Sequence, residues 1–138
     1  GNWYNTGYDK THDFSFVSNY KLNKKLTFNT NFIFQTGQPT NYPVGQYTYM
    51  NLTIPNYGER NSNRLPNYHR LDMSLTLIPN KNKKRDYKSE WVFGFYNIYN
   101  RDNANSITFQ QNEKTLKNEA IQLSIFGIVP SISYNFKF

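Results

Sequence analysis

Hydrophobic and polar residues alternate along most of the chain, and the alternation is clearest at residues 131–138, SISYNFKF. Successive side chains of a β-strand point to opposite faces, so this pattern predicts a strand with one apolar and one polar face. The same alternation predicts four earlier strands, at about residues 13–22, 26–36, 68–78 and 90–99. The fourth of these carries Trp91, Phe93 and Phe95 on one face. We therefore predict an all-β chain of about five antiparallel strands, and no helix of useful length.

The last strand is expected to run back from Val129 through Leu123, with a bulge or irregularity at Pro130. Residues 23–25 and 79–88 form polar turns, whereas 37–66 and 100–120 are long polar stretches in which the alternation is lost. Residues 106–110 are an exception, because they can continue the neighbouring hairpin. Strands that cross a membrane need about 9–11 residues, which the five segments provide. If the C-terminus is periplasmic, both long stretches are extracellular loops and both short turns are periplasmic, as in outer-membrane barrels.

The composition changes this picture from a soluble sheet to a membrane wall. Hydrophobic residues make up only 37% of the chain while aromatic residues reach 18%, a combination unusual for soluble domains and for disordered chains. A barrel wall one residue thick, apolar toward lipid and polar toward a wet lumen, accounts for both values. The chain has no cysteine, which excludes disulfides and zinc–thiolate sites, and no apolar run of the roughly 18 residues that a membrane helix needs.

Five strands cannot close a membrane barrel, because the smallest have about eight. An unpaired strand edge in lipid would also leave backbone groups without hydrogen bonds, at several kcal/mol each. Residues 1–4 show no signal peptide. We therefore expect residues 1–138 to be the C-terminal part of a large transmembrane β-barrel with two long extracellular loops.

Six motifs carry a resemblance to a known family. They are YDKTHD (8–13), YKLNKK (20–25), QTGQP (35–39), RLPNYHRLD (64–72), FYNIYNR (95–101) and IVPSISYNFKF (128–138). Together, in this order and spacing, they resemble the closing strands of TonB-dependent receptors of the outer membrane. The similar branch is the one with an N-terminal carboxypeptidase-regulatory-like domain. One departure is Lys10-Thr11, where similar receptors tend to have arginines before the His-Asp pair.

The resemblance implies a barrel of about 22 strands with a plug domain folded inside it. It also implies uptake of a small-molecule or oligomeric substrate of unknown identity, powered through TonB, with the C-terminus in the periplasm. The implied partners are outer-membrane lipid, the plug and remaining barrel strands, the barrel-assembly machinery, and TonB acting through an upstream segment. No cofactor is implied. The chain alone is not expected to transport, since plug and TonB-contacting segment are missing from it.

Three groups of residues are candidates for function. The first is the terminal pattern that resembles the signal read by the barrel-assembly machinery, in which an exposed sheet edge pairs with the last strand: Ile132, Tyr134, Phe136 and Phe138. The second is Arg70 and Asp72, which share the predicted lumen face and either contact plug or substrate or form a charge pair on a wet wall. The third is the loop set whose hydroxylated rings suit sugars, peptides or metal chelates, and equally suit loop packing: Tyr42, Tyr47, Tyr49, Tyr57 and Arg60.

Other chemistries are less well supported by the sequence. Asp9, His12 and Asp13 lack further ligands at metal-site spacing, and a structural role is preferred for them. The basic turn 79–88 could suggest nucleic acid, but the aromatic residues alternate along strands as a membrane girdle would. Nothing resembles a nucleophile elbow, a phosphate loop or a carboxylate pair, so we expect no enzyme. The remaining alternatives are a fragment of another outer-membrane barrel or adhesin, and a soluble carbohydrate-binding β-sandwich.

Overall fold

A computed structural model describes residues 3–50, 52–79, 87–112 and 118–137. These residues form eleven β-strands arranged in antiparallel sheets, so the predicted all-β class is confirmed. None of the described residues belongs to a helix long and apolar enough to cross a membrane. The chain divides into two compact units. We call residues 13–34, 69–102 and 126–138 the sheet unit, and residues 1–12, 35–68 and 103–125 the connection unit.

The sheet unit is one five-stranded sheet. Its five strands are adjacent in the order in which they occur along the chain. Its order is β1-β2-β7-β8-β11, a simple up-and-down arrangement. The bounds are β1 Asp13–Lys21, β2 Leu26–Gln35, β7 Tyr68–Leu77, β8 Lys88–Tyr96 and β11 Val129–Lys137. Each strand has 9 or 10 residues, and all five predicted strands are found. Residues 22–25 connect β1 to β2, whereas β3–β6 and β9–β10 lie within the two long connections.

Cross-strand register places Trp91 and Phe93, with the apolar residues opposite them, on one face of the sheet. Phe93 of β8 is opposite Leu75 of β7 and Ile132 of β11, and Trp91 is opposite Leu77 and Tyr134. Directly opposed residues of antiparallel strands point to the same side, so the apolar rows of these three strands form one continuous surface. The rings of Trp91 and Tyr134 have their centroids 4.5 Å apart.

The opposite face of the sheet is polar. Asn29 of β2 donates through Nδ2 to the hydroxyls of Ser74 and Thr76 of β7, each at 3.2 Å. Asn29, Asp72, Ser74 and Ser131 line an open hollow of about 300 Å³. Period-two alternation therefore separates an aromatic face from a hydrogen-bonded polar face, as the sequence predicts.

No hydrophobic side chain among the described residues is buried. On the edge strand β1, Phe14 and Phe16 are 55% and 54% exposed, and on β11 Phe136 is 60% exposed. The only buried polar residues in the described part are Ser89 and Asn97. The aromatic face therefore does not close over a hydrophobic core of its own.

The connection unit contains three short antiparallel pairs. They are β3 (Pro39–Thr40) with β6 (Asn63–Arg64), β4 (Pro43–Tyr49) with β5 (Leu52–Tyr57), and β9 (Ala104–Gln111) with β10 (Asn118–Ser124). Polar side chains join the two long connections: Gln111 donates to the Thr53 hydroxyl at 3.2 Å, and Tyr42 packs against Phe109 with ring centroids 5.4 Å apart.

Three details of the predicted organisation are wrong. Leu123 belongs to β10 and pairs with Ser106 of β9, so the last strand does not run back through it but begins at Val129. Pro130 is opposite Phe95 in an unbroken register, without a bulge; β11 is an edge strand, where a residue without N–H is tolerated. Residues 37–66 are also not free of regular structure, since β3–β6 lie in them.

Candidate functional site

Three of the sequence motifs meet at one place in the connection unit, around Gly37. A Cβ atom on Gly37 would lie 1.6 Å from the carbonyl oxygen of Leu65, so the two backbones approach more closely than any side chain permits. Leu65 N donates to Gln38 O at 2.9 Å, and Gly37 N donates to Asn67 Oδ1 at 3.1 Å. We call residues 9–12, 35–38 and 64–67 the motif junction.

Arg64 connects the parts of the motif junction. Its guanidinium donates to the carbonyl oxygen of Gly37 at 2.9 Å and forms an ion pair with the carboxylate of Asp9. Both charged side chains are about one third exposed, at 35% and 36%. Exposed ion pairs contribute little stability by themselves. The contribution of Arg64 is therefore mainly geometric, since it binds two segments that are far apart in sequence.

Residues 10–12 form the third side of the motif junction. His12 N donates to the Thr36 hydroxyl, and Thr36 N donates to His12 O, both at 2.9 Å. Lys10 Nζ donates to Gln35 Oε1 at 2.8 Å. Asp9 thus forms an ion pair, and His12 bonds to Thr36 through its backbone. The described residues contain no group of three or more His, Cys, Asp or Glu that could hold a metal ion.

A pocket of about 200 Å³ opens beside the motif junction. Gly37, Leu65, Lys10, Gln38 and Asn105 are among the residues that line it. The sequence interpretation did not single out this pocket, because its walls come from both long connections and from the segment before β1.

The structure does not bring the five predicted loop residues into one site. Tyr47 and Tyr49 are opposite Ile54 and Leu52 and share one face of the β4–β5 hairpin, whereas alternation places Tyr57 on the other face. Tyr42 lies against Phe109 and donates to Arg64 O at 3.4 Å, and burial raises the pKa of the Tyr42 phenol.

Arg60, the fifth of these residues, is engaged elsewhere. Its guanidinium lies 4.7 Å from the ring centroid of Tyr4, a cation–π geometry. Asn5 is close to this pair, and its carbonyl oxygen accepts from Asn61 Nδ2 at 2.6 Å. Arg60 is therefore part of a local contact with the segment before β1 and not of a tyrosine cluster.

Arg70 and Asp72 share the polar face of the sheet, as predicted, and they form an ion pair along β7. Arg70 Nε donates to Asp72 Oδ2 at 3.0 Å. The same guanidinium donates to the Tyr96 hydroxyl at 2.7 Å and lies 4.0 Å from the centroid of that ring. Asp72 Oδ1 accepts from Asn97 N at 2.9 Å. Arg70 and Asp72 therefore belong to a hydrogen-bonded network on the polar face of the sheet, in which both charges already have partners.

Asn97 organises the turn after β8. It is completely buried, has a left-handed φ of 52°, and its Nδ2 donates to Arg101 O at 2.8 Å and to Phe126 O at 3.4 Å. Asn100, with φ of 53°, accepts through Oδ1 from Ile128 N at 2.8 Å. Both asparagines belong to the FYNIYNR motif (95–101), for which the sequence predicted no role. Two asparagines three apart beyond a strand were the available signal, because asparagine tolerates left-handed conformations.

The terminal strand β11 is an edge of the sheet, hydrogen-bonded to β8 on one side only among the described residues. Ile132, Tyr134 and Phe136 project from its apolar face and are 69%, 46% and 60% exposed. Tyr134 and Phe136 stack with ring centroids 6.0 Å apart. Phe138, the fourth residue of the predicted assembly signal, lies outside the described residues, as do residues 80–86 of the basic turn.

Comparisons with protein-family models, with curated protein sequences and with solved structures give no match for this chain.

Proposed function

We propose that this chain is the C-terminal part of an outer-membrane β-barrel of the TonB-dependent receptor class, which takes up a substrate with energy transmitted by TonB. The observation that carries the proposal is the two-faced sheet. One face is aromatic and unburied, and the other is polar and hydrogen-bonded. Such a wall is stable with lipid on one side and water on the other.

Strand length and connection length support the same proposal. Strands of 9 or 10 residues match the roughly 9–11 that a tilted membrane strand requires. Both long connections leave the sheet at one end, and the four-residue connection 22–25 is at the other. Outer-membrane barrels place long loops outside the cell and short turns in the periplasm.

A soluble β-sandwich is the alternative from another class, and the burial pattern favours it less. A sandwich gains about 1.5–3 kcal/mol for each large apolar side chain that its two sheets bury between them. In the described residues no aromatic side chain is buried, and those on the aromatic face of β8 and β11, such as Phe93, Phe95 and Phe136, remain exposed. The sheet lacks the internal partner that this architecture needs.

The membrane part of the proposal is tested with two single-cysteine variants at adjacent positions. Each is made in the protein expressed from its full gene in a bacterium that has an outer membrane. Phe93→Cys places a thiol on the aromatic face, and Val92→Cys places one on the polar face, opposite Ser133. We expect a pyrene label at position 93 to be quenched by nitroxide-labelled lipids, and a label at position 92 to be unaffected by them. Equal quenching at both positions, or none at position 93, would refute a lipid-facing aromatic surface.

The transport part is tested by growth on a panel of nutrients and iron chelates. We expect deletion of the gene and deletion of TonB to abolish growth on at least one common compound, and re-expression of the gene to restore it in the first strain only. A growth defect of the gene deletion that TonB deletion does not reproduce would exclude TonB-driven uptake. The quenching result would stand independently of this outcome.

A further inference from the structure

We infer that the pocket beside the motif junction binds a carboxylate group of the transported substrate, either a small organic acid or the C-terminus of a peptide. The inference rests on the proposed function, since it assigns a substrate class to the same receptor. The pocket measures about 200 Å³ and takes lining residues from the segment before β1 and from both long connections.

The charge of the pocket favours an anion. Lys10 is the only charged residue among those that line it, and the lining contains no carboxylate. Asp9, its neighbour in sequence, is held in the ion pair with Arg64. The positive charge of Lys10 is therefore not neutralised within the pocket.

The donors of the pocket suit a carboxylate. The ammonium group of lysine has three N–H donors, and the structure directs one of them to Gln35 Oε1 at 2.8 Å. Gln38 and Asn105, two residues with side-chain amides, belong to the same lining. An ionised carboxylate only accepts hydrogen bonds, through two oxygens. A phosphate ester carries about −1.5 to −2 charges at pH 7, which a single lysine matches less well.

The walls are fixed before any ligand arrives. The backbone at Gly37 lies directly against Leu65. Arg64 and His12 N donate hydrogen bonds to the flanking segments, and Asn67 Oδ1 accepts one from Gly37 N. A preorganised site loses less conformational entropy on binding than one that must first be ordered.

The size of the pocket limits what enters it. Sites for drug-sized ligands measure about 300–1,000 Å³, so a pocket of about 200 Å³ admits a small acid or one end of a longer molecule. A carboxyl terminus with its last side chain fits this description, and the remainder of the substrate would extend out of the pocket.

The test measures binding of trialanine to the full-length protein in detergent by titration calorimetry. The probes are trialanine with a free carboxyl group, trialanine amide, acetate and inorganic phosphate. We expect trialanine to bind and the amide not to bind. Acetate binding alongside trialanine would identify the carboxylate as sufficient and small acids as ligands; trialanine binding without acetate would identify a peptide terminus.

Substitutions at Lys10 test the assigned donor. Lys10→Gln is expected to weaken trialanine binding about tenfold or more, the loss typical of a hydrogen bond to a charged group, while Lys10→Arg retains most of it. Asn105→Ala should weaken binding less, by about threefold. Lys24→Gln, which makes the same charge change in the turn between β1 and β2, should leave binding unchanged.

Three results would overturn the assignment: equal binding of trialanine and its amide, binding of phosphate but of neither carboxylate, or unchanged binding by Lys10→Gln. Insertion into membranes is followed separately on denaturing gels, where the unheated, folded protein is expected to migrate differently from the heated protein. A protein that inserts without binding any carboxylate would refute the pocket assignment and leave the proposed function intact. Carboxylate binding by a protein that never inserts would refute the proposed function instead.

Discussion

Replacement of Gly37 by alanine should open the motif junction. The added Cβ would lie 1.6 Å from Leu65 O, and real Cβ atoms essentially never come closer than 3.0 Å to another atom, so the two segments must separate by at least about 1.4 Å. Three hydrogen bonds depend on their present distance: Leu65 N to Gln38 O, Gly37 N to Asn67 Oδ1, and Arg64 to Gly37 O. At about 0.5–1.5 kcal/mol each, their loss destabilises the junction locally by about 2–4 kcal/mol.

Hydrogen exchange at the Leu65 amide measures this change directly. A local opening energy reduced by about 2–4 kcal/mol accelerates exchange by about 30- to 900-fold. Gly7→Ala is the matched control, because nothing lies within 4 Å of a Cβ placed there. Exchange at Leu65 that is as slow in Gly37→Ala as in Gly7→Ala would show that the close approach of the two backbones does not hold the junction together.

The remaining predictions concern the turn after β8 and the adjoining polar face of the sheet. Asn97→Ala removes a fully buried amide with a left-handed φ and should destabilise the folded protein by about 2–3 kcal/mol, measured as a lower temperature for loss of folded gel mobility. Gly127→Ala places a Cβ 2.5 Å from Asn100 Oδ1 and should lower the same temperature, whereas an unchanged value would contradict the packing described for this turn. Tyr96→Phe removes the hydroxyl that accepts from Arg70 but keeps the ring, so denaturant titration should show a loss of only about 1 kcal/mol.

The strands of the sheet were predictable because their signal is local. Alternation at Trp91, Phe93 and Phe95 assigns both the strand and its apolar face, and no long-range information is needed for either. The strand to which Leu123 belongs was not predictable in this way. The residues around Leu123 alternate like those of β11, but their partner is β9, and pairing partners are not encoded in alternation.

The motif junction was less predictable than the sheet. Along the chain, Arg64 is 27 residues from Gly37 and 55 residues from Asp9, and nothing in the local sequence indicates that the three meet. The sequence TGQP is typical of a turn at Gly37. In the structure Gly37 instead allows a close approach of two backbones, and its φ is not positive. Arg70 and Asp72 were recognisable as same-face residues, but Tyr96 and Asn97, which complete their network, follow from register alone.

Hydrogen bonds at the strand ends add to the bonds of Asn29 within the sheet in fixing which strands pair and in what register. Alternation assigns faces, but a slip by two residues would preserve them, and no buried apolar packing is present in the described residues to oppose such a slip. Side-chain bonds to backbone groups do oppose it, because each requires one particular neighbour. The bond from Asn97 N to Asp72 and that from His12 N to Thr36 are of this kind. Four of the six motifs, YDKTHD, QTGQP, RLPNYHRLD and FYNIYNR, contain the residues that make these two bonds, which explains why these four adjoin the long connections.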